Sequence, residues 1–131
     1  MYKVLVPIDH DKGRASAQAQ AIIDLPDGQK EVQAILFHVF GDNPEGASVA
    51  QVASVHTVMD ALKKAGIAYD LQEASGDPAT AVLDACRSQE VNLICMSGRK
   101  RNQLDEMLFG SVAHEVVHRS DIPVMVCGPT T

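Results

Sequence analysis

The feature that most constrains this chain is a set of five short apolar runs, each ended by a turn signal and each followed, except the last, by a helical pattern. Lys3–Ile8 (KVLVPI), Val32–Phe40 (VQAILFHVF), Ala68–Glu73, Val91–Met96 (VNLICM) and Ile122–Cys127 are of strand length, and most are nearly continuous in apolar character. Strands that read as apolar throughout are covered on both faces, as in parallel sheets. Between them lie segments with apolar residues every three or four positions. Ala15–Leu25 carries Ala15, Ala19, Ile22 and Ile23, and Pro26-Asp27-Gly28 stops it. Gln51–Ala65 carries Val52, Val55, Met59 and Leu62, with Gly66 as a C-cap. Asp77-Pro78 supplies an N-cap and a first-turn proline for a stripe of Ala79, Val82, Leu83 and Cys86. Leu104–Phe109 has helical spacing, and Val112–His118 reads as the last helix. Only Gly41–Ala50 looks loose.

The order is β-α-β-α-β-α-β-α-β. It predicts a five-stranded, doubly wound parallel α/β sandwich. At 131 residues the chain fits one domain over residues 1–131, large enough to fold without disulfides or metal. With aromatics at 4% and no Trp, its core is Val, Ile, Leu, Ala and Met. The three cysteines, Cys86, Cys95 and Cys127, each lie inside an apolar segment and read as reduced, buried thiols of a cytoplasmic protein.

Charge excludes several functions. The net charge is −6, with few aromatics, so no nucleic-acid partner is expected. No run approaches the ~20 apolar residues of a membrane span, so no membrane association is expected. The segment before Pro7 and Asp9 is too short for a signal peptide.

Ligands of open parallel sheets bind beyond the carboxyl ends of the strands. Asp9, Phe40-Gly41, Ser75-Gly76 and Ser97-Gly98 occupy those ends. The P-loop and Rossmann glycine patterns are both absent. His114-Glu115-Val116-Val117-His118 reads as the HExxH zinc signature. A catalytic zinc needs a third protein ligand, and downstream only Asp121 is acidic, with no His or Glu. Two surface histidines, able at most to take metal incidentally, are the expectation, and no metal site is assigned.

Lys3–Asp9, Phe37-His38-Val39, Gly76-Asp77-Pro78, Val91–Met96 and Gly110-Ser111-Val112 before Ile122–Val126 together resemble the universal stress protein family along the whole chain. That resemblance implies the adenine nucleotide alpha hydrolase-like fold, with strand order 3-2-1-4-5. ATP-binding members carry Gly-x2-Gly-x9-Gly-[Ser/Thr] after the fourth strand. Here Gly110-Ser111 supplies the ending, while Ser97 and Lys100 replace the first two glycines, with Gly98 one residue late. Glycines there let backbone amides approach phosphates. Three adjacent cations, Arg99, Lys100 and Arg101, offer an anion site instead.

The resemblance places Asp9 near ribose and phosphates and the Val39 backbone at adenine. It implies nucleotide-binding residues Pro7, Ile8, Asp9, Val39, Met96, Ser97, Gly98, Arg99, Arg101, Gly110, Ser111 and Val112, and no catalytic residue. The ligand would be ATP or a related adenine nucleotide, with or without magnesium. Hydrolysis would be slow and incidental, so the chain is read as a regulatory or stress-response protein and not an enzyme. The alternatives are a stress protein working by protein contacts alone, and a receiver-type module in which Asp9 and Asp11 imitate an acidic pair. Ile122–Cys127 carries no charge and would lie at the sheet's rim, where pairing with a second copy protects an apolar edge. A homodimer through residues 122–127 is therefore expected, and the resemblance points the same way.

Overall fold

A computed structural model describes residues 1–41, 46–101, 107, 108 and 110–128, and for residues 28, 29, 99–101, 107 and 108 it describes the backbone alone. The order is β1 (Tyr2–Pro7), α1 (Lys12–Ile23), α2 (Gly28–Glu31), β2 (Val32–Phe40), a 3-10 turn (Val49–Gln51), α3 (Ala53–Ala65), β3 (Ala68–Ser75), α4 (Pro78–Gln89), β4 (Leu93–Ser97), β5 (Arg99–Arg101), β6 (Met107–Leu108), α5 (Ser111–Arg119) and β7 (Val124–Cys127). Five strands form one parallel sheet, β3-β2-β1-β4-β7. Counted by its strands alone this is the order 3-2-1-4-5. A receiver has the flavodoxin-like order 2-1-3-4-5, so topology sets that alternative aside.

Alternation of side chains splits the core into two layers. Val4, Val6, Ala34 and Leu36 face Ala15, Ala19 and Ile22 of α1 and Val55, Val58 and Leu62 of α3. Leu5, Ile35, Phe37 and Ile94 face Val82 and Leu83 of α4 and Ala113 and Val116 of α5. Burying one large aliphatic side chain contributes about 1.5–3 kcal/mol, and both faces of the central strands are lined with such residues.

Three helix boundaries follow local rules visible in the sequence. Asp77 caps α4, its carboxylate accepting from the Thr80 amide at 3.0 Å, with Pro78 in the first turn. Gly66 ends α3 at φ 73°, a left-handed conformation that costs glycine nothing. Asp11 caps α1, accepting from the Arg14 amide at 2.8 Å.

The differences from the predicted pattern are local. The one-turn helix α2 follows Asp27, which sits at φ 55°. Met107–Leu108, inside the stretch with helical spacing, pairs antiparallel with Arg99–Arg101 instead. Two neighbouring residues fit either pattern, and partner strands decide. Residues 102–106 and 109 of that stretch lie outside the described ones.

One polar residue ties α1 into the sheet. Asn92 donates to the Lys3 carbonyl and Ile8 donates to the Phe37 carbonyl. Odd-numbered residues of β1 therefore turn their amides toward β4, and Pro7 stands where an amide is wanted but has none. Gln18, fully buried, substitutes for it. Its Nε2 donates to Pro7 O at 2.6 Å and to Cys95 O at 2.9 Å. It bridges β1 and β4 where their carboxyl ends part.

Candidate functional site

At that parting, a cavity of about 220 Å³ opens between the ends of β1, β2 and β4 and the starts of α1, α4 and α5. Reversal of strand order creates such a crevice, because β1 leads to one face and β4 to the other. Pro7, Ile8, Asp9, Val39, Met96, Ser97, Gly110, Ser111 and Val112 all line it. Gly98 is not among the lining residues. It is buried, and its amide donates to the Cys127 carbonyl at 2.7 Å. The side chains of Arg99, Lys100 and Arg101 lie outside the described residues.

The β1–α1 turn is densely bonded. The Asp9 carboxylate accepts from the Asp11 amide at 2.9 Å and from Arg14 Nε at 2.8 Å. The Ser54 hydroxyl on α3 donates to the Asp9 carbonyl. Asp9 thus reaches the cavity already paired with a cation. His38, buried on β2, donates from Nδ1 to the Ile8 carbonyl at 2.6 Å, which fixes the turn from the other side. Its ring meets His10 and Phe40 edge-on at 4.8 and 4.7 Å between centroids.

Three helices present their N-termini here, and Asp11 caps α1. Asp77 satisfies the start of α4, and hydrogen bonds from Thr80 hold its carboxyl below its ordinary value of 3.8. The N-cap of α5 is Gly110, which offers no side-chain oxygen to the first amides. Those amides carry the positive end of the helix dipole. An uncapped start next to a crevice is suited to an anion.

His10, Arg14, Phe37, His38, Pro78, Val82 and Ala113 also line the cavity and were not predicted. Arg14 had a signal of sorts, since it lies a short step beyond Asp9 and Asp11. His38 had none, because a histidine inside an apolar strand reads as core. His114 and His118 lie on the exposed face of α5, ring centroids 4.5 Å apart. Among the described residues no group of three or more His, Cys, Asp or Glu could hold a metal.

The profile of the universal stress protein family matches residues 1–128. This chain belongs to that family. A universal stress protein of Mycolicibacterium smegmatis is 30% identical over 90 residues, 68% of this chain and 69% of the relative. The stress response protein NhaX of Bacillus subtilis is 32% identical over 57 residues, 44% of this chain but only 34% of its own length. Among solved structures, a universal stress protein from Archaeoglobus fulgidus superposes with a TM-score of 0.75 at 18% identity, covering 97% of this chain and 98% of that one. A universal stress protein in complex with cAMP superposes at 0.73, with 18% identity and 98% of each chain covered. Another from Archaeoglobus fulgidus, in complex with dAMP, superposes at 0.70, with 15% identity, 97% of this chain and 98% of that one. At these identities the structures establish the shared fold: five parallel strands in this order, with helices on both faces. No helix among the described residues is long and apolar enough to cross a membrane.

Proposed function

We propose that this universal stress protein binds an adenine nucleotide in the crevice between β1 and β4, ATP or a close relative, with or without magnesium. It would act in the cytoplasm by holding the nucleotide rather than by turning it over. The observation that carries this reading is the uncapped start of α5 at Gly110-Ser111, facing Asp9 across the cavity. Val39 and Met96 would meet the base, Asp9 the ribose, and the α5 amides the phosphates. Arg99 and Arg101 would add charge in place of the two missing glycines. Two fold neighbours hold cAMP and dAMP, which favours an adenine ligand here. Mass spectrometry of ligand released from freshly purified, denatured protein tests the reading directly. Titration calorimetry with ATP, ADP and AMP showing no heat up to millimolar concentration overturns it.

One observation favours a second reading. The Asp9 carboxylate is already engaged by Arg14, so a ribose hydroxyl would have to share it. Together with Ser97 and Lys100 in place of glycines, this supports a stress protein that acts through protein contacts alone. We also propose a homodimer through the edge strand β7. Val124, Met125 and Val126 are partly exposed there, on an uncharged strand paired on one side only among the described residues. Met125→Lys should give monomers by light scattering, and a monomeric mass for the unmodified protein at micromolar concentration refutes the dimer.

A further inference from the structure

The three cysteines are not alike. Cys86 lies on α4, in the layer between the sheet and α4 and α5, where burial pushes its thiol up to about 11. Cys95 and Cys127 lie in the opposite layer. Cys127 stands opposite Ser97 in the β4–β7 register, two residues beyond Cys95, so both side chains leave the same face of the sheet. Their sulfurs are 3.2 Å apart. Cys95 is 0% exposed and Cys127 is 8% exposed, at the carboxyl end of the edge strand. The proposed nucleotide-binding role uses neither of them.

We propose that Cys95 and Cys127 form a peroxide-responsive dithiol, converted by oxidation into an intrachain disulfide between β4 and β7. Cys127 is the first sulfur attacked, and Cys95 resolves it. Exposure sets that order: Cys127 is the more accessible, and Cys95 is fully buried. Either sulfur can donate in the bond between them. With Cys95 as donor, that bond holds the Cys127 thiol below its ordinary value, while the same bond and burial push Cys95 up. The Cys127 thiolate is therefore the nucleophile. It attacks one oxygen of a hydroperoxide. An S–O bond forms, the O–O bond breaks, and the departing hydroxide takes a proton to leave as water. The Cys95 sulfur then attacks the sulfenic sulfur. An S–S bond forms, the S–O bond breaks, and the second hydroxide leaves as water with the Cys95 proton. Two thiols and one hydrogen peroxide become one disulfide and two waters.

Closing the bond brings the sulfurs from 3.2 Å to about 2.05 Å. The sulfurs close by roughly an ångström, and because diagonal neighbours on adjacent strands stand wider apart than a relaxed disulfide spans, the strands must shift to allow it. β4 is held between β1 and β7, whereas β7 has one partner strand among the described residues. The edge strand is therefore the element that yields. Because the Cys127 carbonyl holds the Gly98 amide at 2.7 Å, the movement reaches the first residue after β4.

The test exposes the full chain to hydrogen peroxide at neutral pH, then alkylates it under denaturing conditions. The chain should lose the mass of two hydrogens and keep one alkylable thiol of its three. A digest should yield the Cys95 peptide joined to the Cys127 peptide, and dithiothreitol should restore all thiols. Cys86→Ser should form the same bond. Cys95→Ser should leave Cys127 as a sulfenic acid captured by dimedone. Survival of all three thiols, stable oxygen addition at Cys127 with Cys95 free, a bond that includes Cys86, or a link between two chains would each overturn the proposal. The unmodified chain alone decides between these outcomes, so a variant that fails to fold does not blunt the test.

Discussion

Two sides of one crevice are built in opposite ways. The β1–α1 side is largely closed upon itself, since Asp9, Asp11, Arg14, Ser54, His38 and Gln18 each bond a neighbouring group, and only Gln18 Oε1 and His38 Nε2 are buried there without a partner among the described residues. The α5 side begins at Gly110 with no side chain to cap it. Fixed groups locate a ligand, and unsatisfied groups bind it. A ligand needing both would rest on the first side and bond to the second. The difference teaches where binding energy should reside, and it can be broken from either side.

The largest effect should come from the open side. Charge-assisted bonds to an anion contribute about 1.5–3 kcal/mol each. Replacing Arg99 and Arg101 together by Ala should therefore weaken ATP far more than adenosine, read by calorimetry. Equal losses for the two ligands would mean that these side chains do not reach phosphate, and the contrast between the two sides would lose its electrostatic half.

The closed side answers to stability. Gln18→Leu keeps the volume of the buried side chain but removes both donors. It leaves the carbonyls of Pro7 and Cys95 unsatisfied, at about 1–3 kcal/mol for each. The urea midpoint should fall with little change in slope. A midpoint that stays put would show that the carbonyls have found other partners.

The fold was legible in the sequence because it rests on local patterns that all agree. Lys3–Ile8 and Val91–Met96 read as strands through apolar runs, and Asp77-Pro78 and Gly66 mark boundaries by backbone rules. The site was legible where it rests on chain position: Asp9 and Ser97 sit at strand ends, and strand ends meet. What resisted reading depends on two distant segments at once. Gln18 lies on the same helical stripe as Ala15, Ala19 and Ile22, and a lone amide on such a stripe signals a buried hydrogen bond. Its partners emerge only once Pro7 and Cys95 are known to be neighbours. Arg14 reads as a surface cation until the turn folds it onto Asp9. Cys95 and Cys127 each read as a small apolar residue, and nothing local announces that strands 32 positions apart bring their sulfurs together.

A smaller effect separates the capped helix α4 from α5. The Asp77 carboxyl is held below its ordinary 3.8 by hydrogen bonds from Thr80. Because the folded value is the depressed one, its contribution is present above 3.8 and fades as pH falls through the folded value. The stability gap between the unmodified protein and Asp77→Ala should thus be constant near neutrality and shrink below pH 3.8. A gap that does not respond to acid would mean that the charge at this cap contributes nothing.

The smallest effect is the most discriminating. Gly110 sits at φ −73° and ψ 166°, which any residue adopts without strain, so its backbone does not require glycine. Serine there supplies the missing cap and should stabilise the fold by a few tenths of a kcal/mol relative to glycine. If the amides it satisfies are the ones a phosphate uses, binding must first break the new bond. The same few tenths of a kcal/mol then leave the binding energy, and ATP affinity drops by less than about threefold. Gly110→Ser should therefore raise the urea midpoint and lower ATP affinity, with adenosine unchanged. A gain in stability with no loss of ATP affinity would show that the open end of α5 is not where the anion goes.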